Sequence, residues 1–176
     1  MPPRSLFTVG GIAASAFLII FGIVSVVIGF RGVQDVRDTL AEENIVGPDD
    51  SRIPGELVDT GSEARAQADI IREHARQAAG GLSYAEVGRF ATPDGDPAGT
   101  SNPDEAATDD DGNPIPNPSR DRWIQATALS TALNTAYFAE QVGYFVIVMG
   151  VVMVLIGIGF AVLTLGAFRY MQPDAS

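Results

Sequence analysis

The chain has no cysteine and no lysine, and only one histidine and one tryptophan among its 176 residues. Without cysteine there are no disulfides, no thiolate metal sites and no thiol nucleophile. Without lysine there is no phosphate-binding loop of the G-x-x-x-x-G-K-[ST] type, and no G-x-S-x-G elbow marks a serine nucleophile. A single histidine excludes any site that draws two from one chain. Cations are scarce as well. Eleven arginines stand against 22 acids, a formal charge of −11, and phosphate binding needs clustered cations, so nucleic acid is excluded as a partner. No cofactor-binding motif is present, and the composition points to no enzymatic reaction.

What the chain does have is two long apolar runs at its ends and its acids between them. Residues 6–30 and 142–168 carry no charge. As helices they would be roughly 37 and 40 Å long, enough to cross a hydrocarbon core of about 30 Å. The first run is longer than a signal peptide's apolar core. It ends at Ile28-Gly29-Phe30-Arg31, with a bulky Phe where a cleavage site needs a small residue, so it reads as a retained anchor. The expected organisation is an N-terminal tail with transmembrane helix 1 over 1–30, an acidic region over 31–141, transmembrane helix 2 over 142–168, and a C-terminal tail over 169–176. The region 31–141 holds nine Arg and 21 Asp or Glu, a balance of −12. A loop of about 110 residues translocates largely regardless of charge. Arg4 before the first span and Arg169 after the second place both termini in the cytoplasm and the acidic loop outside the cell membrane.

Small residues recur every seven positions in both spans: Ser15, Gly22 and Gly29 in the first, Gly143, Gly150 and Gly157 in the second. Residues seven apart share a helix face, and small side chains let two backbones approach, so these six are the expected helix-packing residues of an antiparallel hairpin with a left-handed crossing. Gly159 and Gly166 form a second stripe. No ionisable residue lies within either span, which argues against a proton or ion path. Glu140, at the loop-side edge of span two, is expected to face water or an arginine such as Arg31.

In the acidic region, Val33, Val36 and Leu40 carry an apolar face beyond the membrane and predict helix over 31–44. Residues 45–58 read as a short extended segment, either a hairpin or an irregular linker. Ala64, Ala68, Ile71, Ala75 and Ala78 make a stripe that predicts helix over 62–79, stopped by Gly80-Gly81. Ser83-Tyr84-Ala85-Glu86 has capping-box spacing and predicts a short helix over 83–90. Six prolines and few large apolar groups predict a mobile loop over 91–118. Ser119 is the expected cap of a helix over 120–141 that continues into span two, with Ala126, Leu129, Leu133 and Ala136 as its apolar stripe.

Chemistry-bearing candidates are few. His74 lacks an identifiable nucleophile or co-ligand, and is expected to be a structural histidine bonded to a neighbouring helix or to Tyr84. Asp94-Gly95-Asp96-Pro97-Ala98-Gly99, with Glu105 at position twelve, partly matches a calcium loop. Ala98 stands where an oxygen ligand belongs, so a solvated acidic loop is the better reading and no metal site is expected. Trp123 could anchor a protein partner or pack the external module.

Several segments resemble a family of two-pass membrane proteins of actinobacteria: Val36-Arg37-Asp38-Thr39-Leu40, Asn44-Ile45-Val46-Gly47, Val58-Asp59-Thr60-Gly61, Ala68-Asp69-Ile70-Ile71-Arg72-Glu73-His74-Ala75, Gly81-Leu82-Ser83-Tyr84-Ala85-Glu86 and the run from Thr131 to Glu140. The resemblance covers most of the chain outside the proline-rich loop. It implies no established activity. Members often carry the label of aromatic ring-opening dioxygenase, but ring cleavage at non-haem iron needs two histidines and a carboxylate, and this chain has one histidine. Some relatives carry a cysteine pair in the external region, which is absent here.

The sequence therefore predicts an all-α membrane protein: an antiparallel two-helix transmembrane hairpin whose helices extend into a small external helical module. Its expected contacts are the lipid bilayer and either a protein partner or further copies of itself. Its expected role is that of a non-enzymatic accessory or structural subunit of a membrane or envelope assembly. The alternative is a homo-oligomeric channel or transport component.

Overall fold

The computed structural model describes residues 3–170, with side chains placed over 7–166. The described residues form three α-helices, one 3-10 turn and no named strand. Helix α1 spans Pro3–Glu42, α2 spans Gly61–Ala78 and α3 spans Pro118–Tyr170. The chain divides into two compact units. One takes in the residues up to Val36 and from Ala139 onward; the other is Arg37–Phe138.

The first unit is a helical hairpin. Its stretches of α1 and α3 are free of internal proline and of charged side chains within the apolar runs, so nothing competes with the intrahelical hydrogen bonds. Both helices are long and apolar enough to cross a membrane, and only 11% of each most apolar window is buried in the protein. A core helix of a water-soluble protein of this length would hide such a window.

The second unit is built around α2. Its N-terminus is closed by a reciprocal capping box. Thr60 Oγ1 accepts from the Glu63 amide, and Glu63 Oε2 accepts from the Thr60 amide at 2.8 Å. Its apolar stripe is confirmed in part: Ala64, Ala68 and Ala75 are buried. At the other end Gly80, with φ +67°, and Gly81, with φ +87°, take the left-handed backbone that stops the helix. Ala75, Ala79, Val87, Trp123 and Ala126 form the core, with Ile71 and Leu82 packed against it. Ser130 Oγ donates to the Ala68 carbonyl at 3.1 Å and ties α3 to α2 at a buried point.

Helix α1 ends because Asn44 adopts φ +51° and its side-chain amide turns back to the Glu42 carbonyl. Residues 45–58 then form a loop closed by a single antiparallel bridge, Val46 to Leu57, with the Val58 amide donating to the Ile45 carbonyl at 2.8 Å.

Two expectations fail in the next stretch. Residues 83–90 are not a helix. Half of the capping box forms, since Glu86 accepts from the Ser83 amide at 2.8 Å, and the Val87 amide completes one turn onto the Ser83 carbonyl. The following amides are then taken elsewhere: Gly88 donates to Ala98 and Phe90 to Thr100. Non-local pairing wins over the helix signal. Residues 91–118 are likewise a folded loop, not a featureless one. Phe90 bridges both Thr100 and Pro116, Thr108 bridges Pro114, and the Ala91 carbonyl accepts from the Ala107 amide at 2.8 Å. Buried Asn117 locks this loop, donating to the Gly88 and Pro97 carbonyls at 3.3 and 3.2 Å.

Asn117 also starts α3. Its Oδ1 accepts from the Ser119 amide at 2.9 Å, and Pro118 follows at the first helical position, where a missing N–H costs nothing. The cap is therefore Asn117, two residues before the expected Ser119.

Candidate functional site

The feature that organises the hairpin is its seam of small residues. Gly22 lies on Gly150: a Cβ placed on Gly22 would be 2.6 Å from the Gly150 carbonyl oxygen, and one placed on Gly150 would be 2.7 Å from the Gly22 carbonyl oxygen. Gly29 and Gly143 form the next pair, with a Gly29 Cβ 2.8 Å from the Gly143 oxygen. Ser15 and Gly157 form the third, with a Gly157 Cβ 3.0 Å from the Ser15 oxygen. The pairs climb seven residues along α1 as they descend seven along α3, so the helices are antiparallel. Contacts that recur every seven residues on both helices follow the 3.5-residue period of left-handed packing.

All six residues singled out by spacing thus meet in one seam. The seam also takes in a contact outside the seven-residue pattern. Gly11 packs against Thr164, whose Oγ1 would lie 2.5 Å from a Cβ there. Gly11 lies four residues before Ser15, a small-x-x-x-small spacing that was available as a signal. The second stripe is different: Gly159 and Gly166 meet nothing within 4 Å and lie away from the seam. The Ser15 hydroxyl leaves no unsatisfied polar group in the seam, because its Oγ donates to the Gly11 carbonyl at 2.7 Å. Of the two expectations for Glu140, water is overturned: the residue is 3% exposed, held inside the protein.

In the second unit the polar side chains form local clasps. His74 Nε2 lies 2.8 Å from Asp50 Oδ2, and that bond holds the Asp50 carboxyl below the usual carboxylate range. The partner is Asp50, on the 45–58 loop, and not Tyr84. A second clasp, Arg52 to Asp69, joins the same loop to α2. Both pairs are exposed, and exposed pairs contribute little to stability. Tyr84 is covered instead by the Arg120 guanidinium, 4.2 Å from the ring centre.

The calcium-like residues are turned to other work. Asp94 Oδ1 accepts from the Asp96 amide, and Glu105 accepts from Thr100 Oγ1 and Asn102 Nδ2, both at 3.1 Å. Among the described residues no group of three or more His, Cys, Asp or Glu is arranged to hold a metal.

Trp123 is not available to a partner. It is 5% exposed in the core, and its indole Nε1 donates to the Leu82 carbonyl at 3.2 Å. A tryptophan with both its ring packed and its N–H satisfied is a structural anchor.

No protein-family model, no curated protein and no solved structure matches the chain.

Proposed function

We propose that the chain is an integral two-pass membrane protein without enzymatic activity, acting as an accessory or structural subunit of a membrane or envelope assembly. The observation that carries the reading is the polarity of the hairpin. Its small residues face inward at the seam, while large apolar side chains such as Phe7 and Phe17 stand outward at 82% and 66% exposure. In water an apolar surface of this extent drives aggregation; in hydrocarbon it is the matched surface.

Both termini lie in the cytoplasm, and the acidic unit lies outside. Arg4 and Arg169 at the two apolar ends support this orientation. The segments shared with the actinobacterial two-pass family support a common architecture, with no ring-cleaving activity. A folded polar unit attached to a membrane hairpin suits a protein that holds or positions others. Extraction of tagged full-length chain in mild detergent, followed by mass spectrometry, tests the role. Reproducible, stoichiometric companions or a defined self-assembly are expected. A monomer without companions contradicts it.

A further inference from the structure

The second unit holds a pocket between α2 and the start of α3, with a volume of about 280 Å³, at the small end of ligand sites. Asp69, Arg72, Glu73 and Arg76 line it from α2, and Trp123 lines it from α3. The four α2 residues have the i, i+3, i+4, i+7 spacing of one helix face, so a single side of α2 presents them together. Trp123 is packed in the core, and its indole N–H is already bonded to the Leu82 carbonyl at 3.2 Å. It therefore offers the pocket a fixed ring and no free donor.

The carboxylates of this pocket are committed, and one of its cations is not. Asp69 Oδ2 accepts from Arg52. Glu73 Oε1 accepts from Gln77 Nε2 at 3.0 Å. Arg76 lies in the field of Glu86, whose Oε2 is taken by the Ser83 amide and hydroxyl at 2.8 and 2.6 Å. The Arg72 side chain has neither a hydrogen bond nor an ion pair among the described residues. Acids outnumber arginines 22 to 11 in this chain, so a guanidinium left without a carboxylate is not explained by a shortage of partners. Its donors form a planar fork, and the group that fits the fork is an oxyanion.

We propose that this pocket binds a small aliphatic monocarboxylate, its carboxylate paired with the Arg72 fork and its chain laid against the Trp123 ring. The fork alone admits a carboxylate or a phosphate. Asp69 and Glu73 decide between them. Both carboxylates stand on the same wall as Arg72, so a phosphate, carrying up to two charges, is repelled more than a ligand carrying one. The body of the ligand follows from what else lines the space. The indole ring and the methylene stems of Arg72 and Arg76 are apolar, and they suit an alkyl chain. The site lies wholly within the unit Arg37–Phe138, so it stands or falls apart from the membrane reading.

The single tryptophan gives one indole N–H resonance, a direct reporter on the pocket wall. Full-length nitrogen-15-labelled protein in detergent is titrated with hexanoate near neutral pH. The Trp123 indole and the Arg72 side-chain N–H resonances are expected to move on one saturating curve, with a Kd on the order of 1 mM for a ligand of this size. Inorganic phosphate is expected to bind about tenfold more weakly. Hexanol, which has the chain without the charge, is expected to leave the Arg72 resonance in place. Arg72→Gln removes the fork at an exposed position and is expected to weaken hexanoate by about tenfold or more; Arg72→Lys, which keeps the charge alone, is expected to fall between. Arg89→Gln, exposed and outside the pocket, is expected to bind as the parent does. Shifts that grow linearly without saturating overturn the proposal. So do equal curves for the parent and Arg72→Gln, an Arg72 resonance that hexanol moves as hexanoate does, or phosphate binding as tightly as hexanoate.

Discussion

Gly22 and Gly150 touch backbone to backbone, each barring a Cβ on the other by contact with a carbonyl oxygen. The same pairing recurs one heptad away at Gly29 and Gly143, so the hairpin is held at a separation that only glycine permits.

Substitution at this contact forces the helices apart. Gly150→Leu is expected to destabilise the detergent-solubilised protein by about 1–3 kcal/mol, the usual cost of overpacking. Gly159→Leu, which enters open space, is expected to leave stability unchanged. Thermal unfolding of the two variants, compared side by side, checks the assignment. Equal losses, or none, would remove the seam.

Helix α2 depends on its capping box. Thr60→Ala deletes the acceptor for the Glu63 amide and is expected to cost about 1 kcal/mol, while Thr60→Ser retains most of it. Hydrogen exchange of the amides in the first turn of α2 is the readout, with faster exchange expected in the alanine variant only.

The buried place of Trp123 makes an optical prediction. As the single tryptophan, its emission is expected to be blue-shifted and poorly quenched by acrylamide in the native protein. Trp123→Ala is expected to destabilise the unit by about 3–5 kcal/mol. Trp123→Phe, which leaves the Leu82 carbonyl without its donor, is expected to cost about 1 kcal/mol. Red-shifted, readily quenched emission would contradict the packing described.

The acidic loop carries a pH signature. The Asp109 carboxyl is held below the usual carboxylate range chiefly by the Asn113 amide, which donates to it at 2.8 Å, with the Asp111 amide also donating. A folded value below the unfolded one stabilises the turn at pH above about 3.9, and that contribution is lost as pH falls through the folded value. The Asn113 amide resonance is expected to titrate with a midpoint below about 3.9, and Asp109→Ala is expected to abolish the titration. A midpoint at or above the ordinary aspartate value would contradict the fold of this loop.

How much of this was legible in the sequence follows from the range of each interaction. The long apolar runs, the seven-residue recurrence of Ser15, Gly22 and Gly29, and the alanine stripe of α2 are periodic signals, and periodicity survives without knowledge of tertiary contacts. The caps are local too, yet of Thr60-Gly61-Ser62-Glu63 and Ser83 to Glu86 only the first closes a full capping box. The two segments have the same spacing. Only the second is followed by amides that pair across the chain with Ala98 and Thr100, and that competition has no sequence signature. The burial of Glu140 and the 24-residue reach from His74 to Asp50 are likewise long-range facts. Proline content misrepresented the loop over 91–118, because turns and Asx contacts satisfy its backbone without any regular element.

The central claim, that two apolar helices cross one bilayer and leave the acidic unit on the outer side, is tested most directly by labelling single introduced cysteines in intact cells. Asp110→Cys, in the acidic loop, is expected to react with a membrane-impermeant maleimide, and a cysteine added before Arg4 is expected to react only after the cells are broken open. Reaction of both positions in intact cells, or recovery of the chain in the supernatant without detergent, would contradict the account.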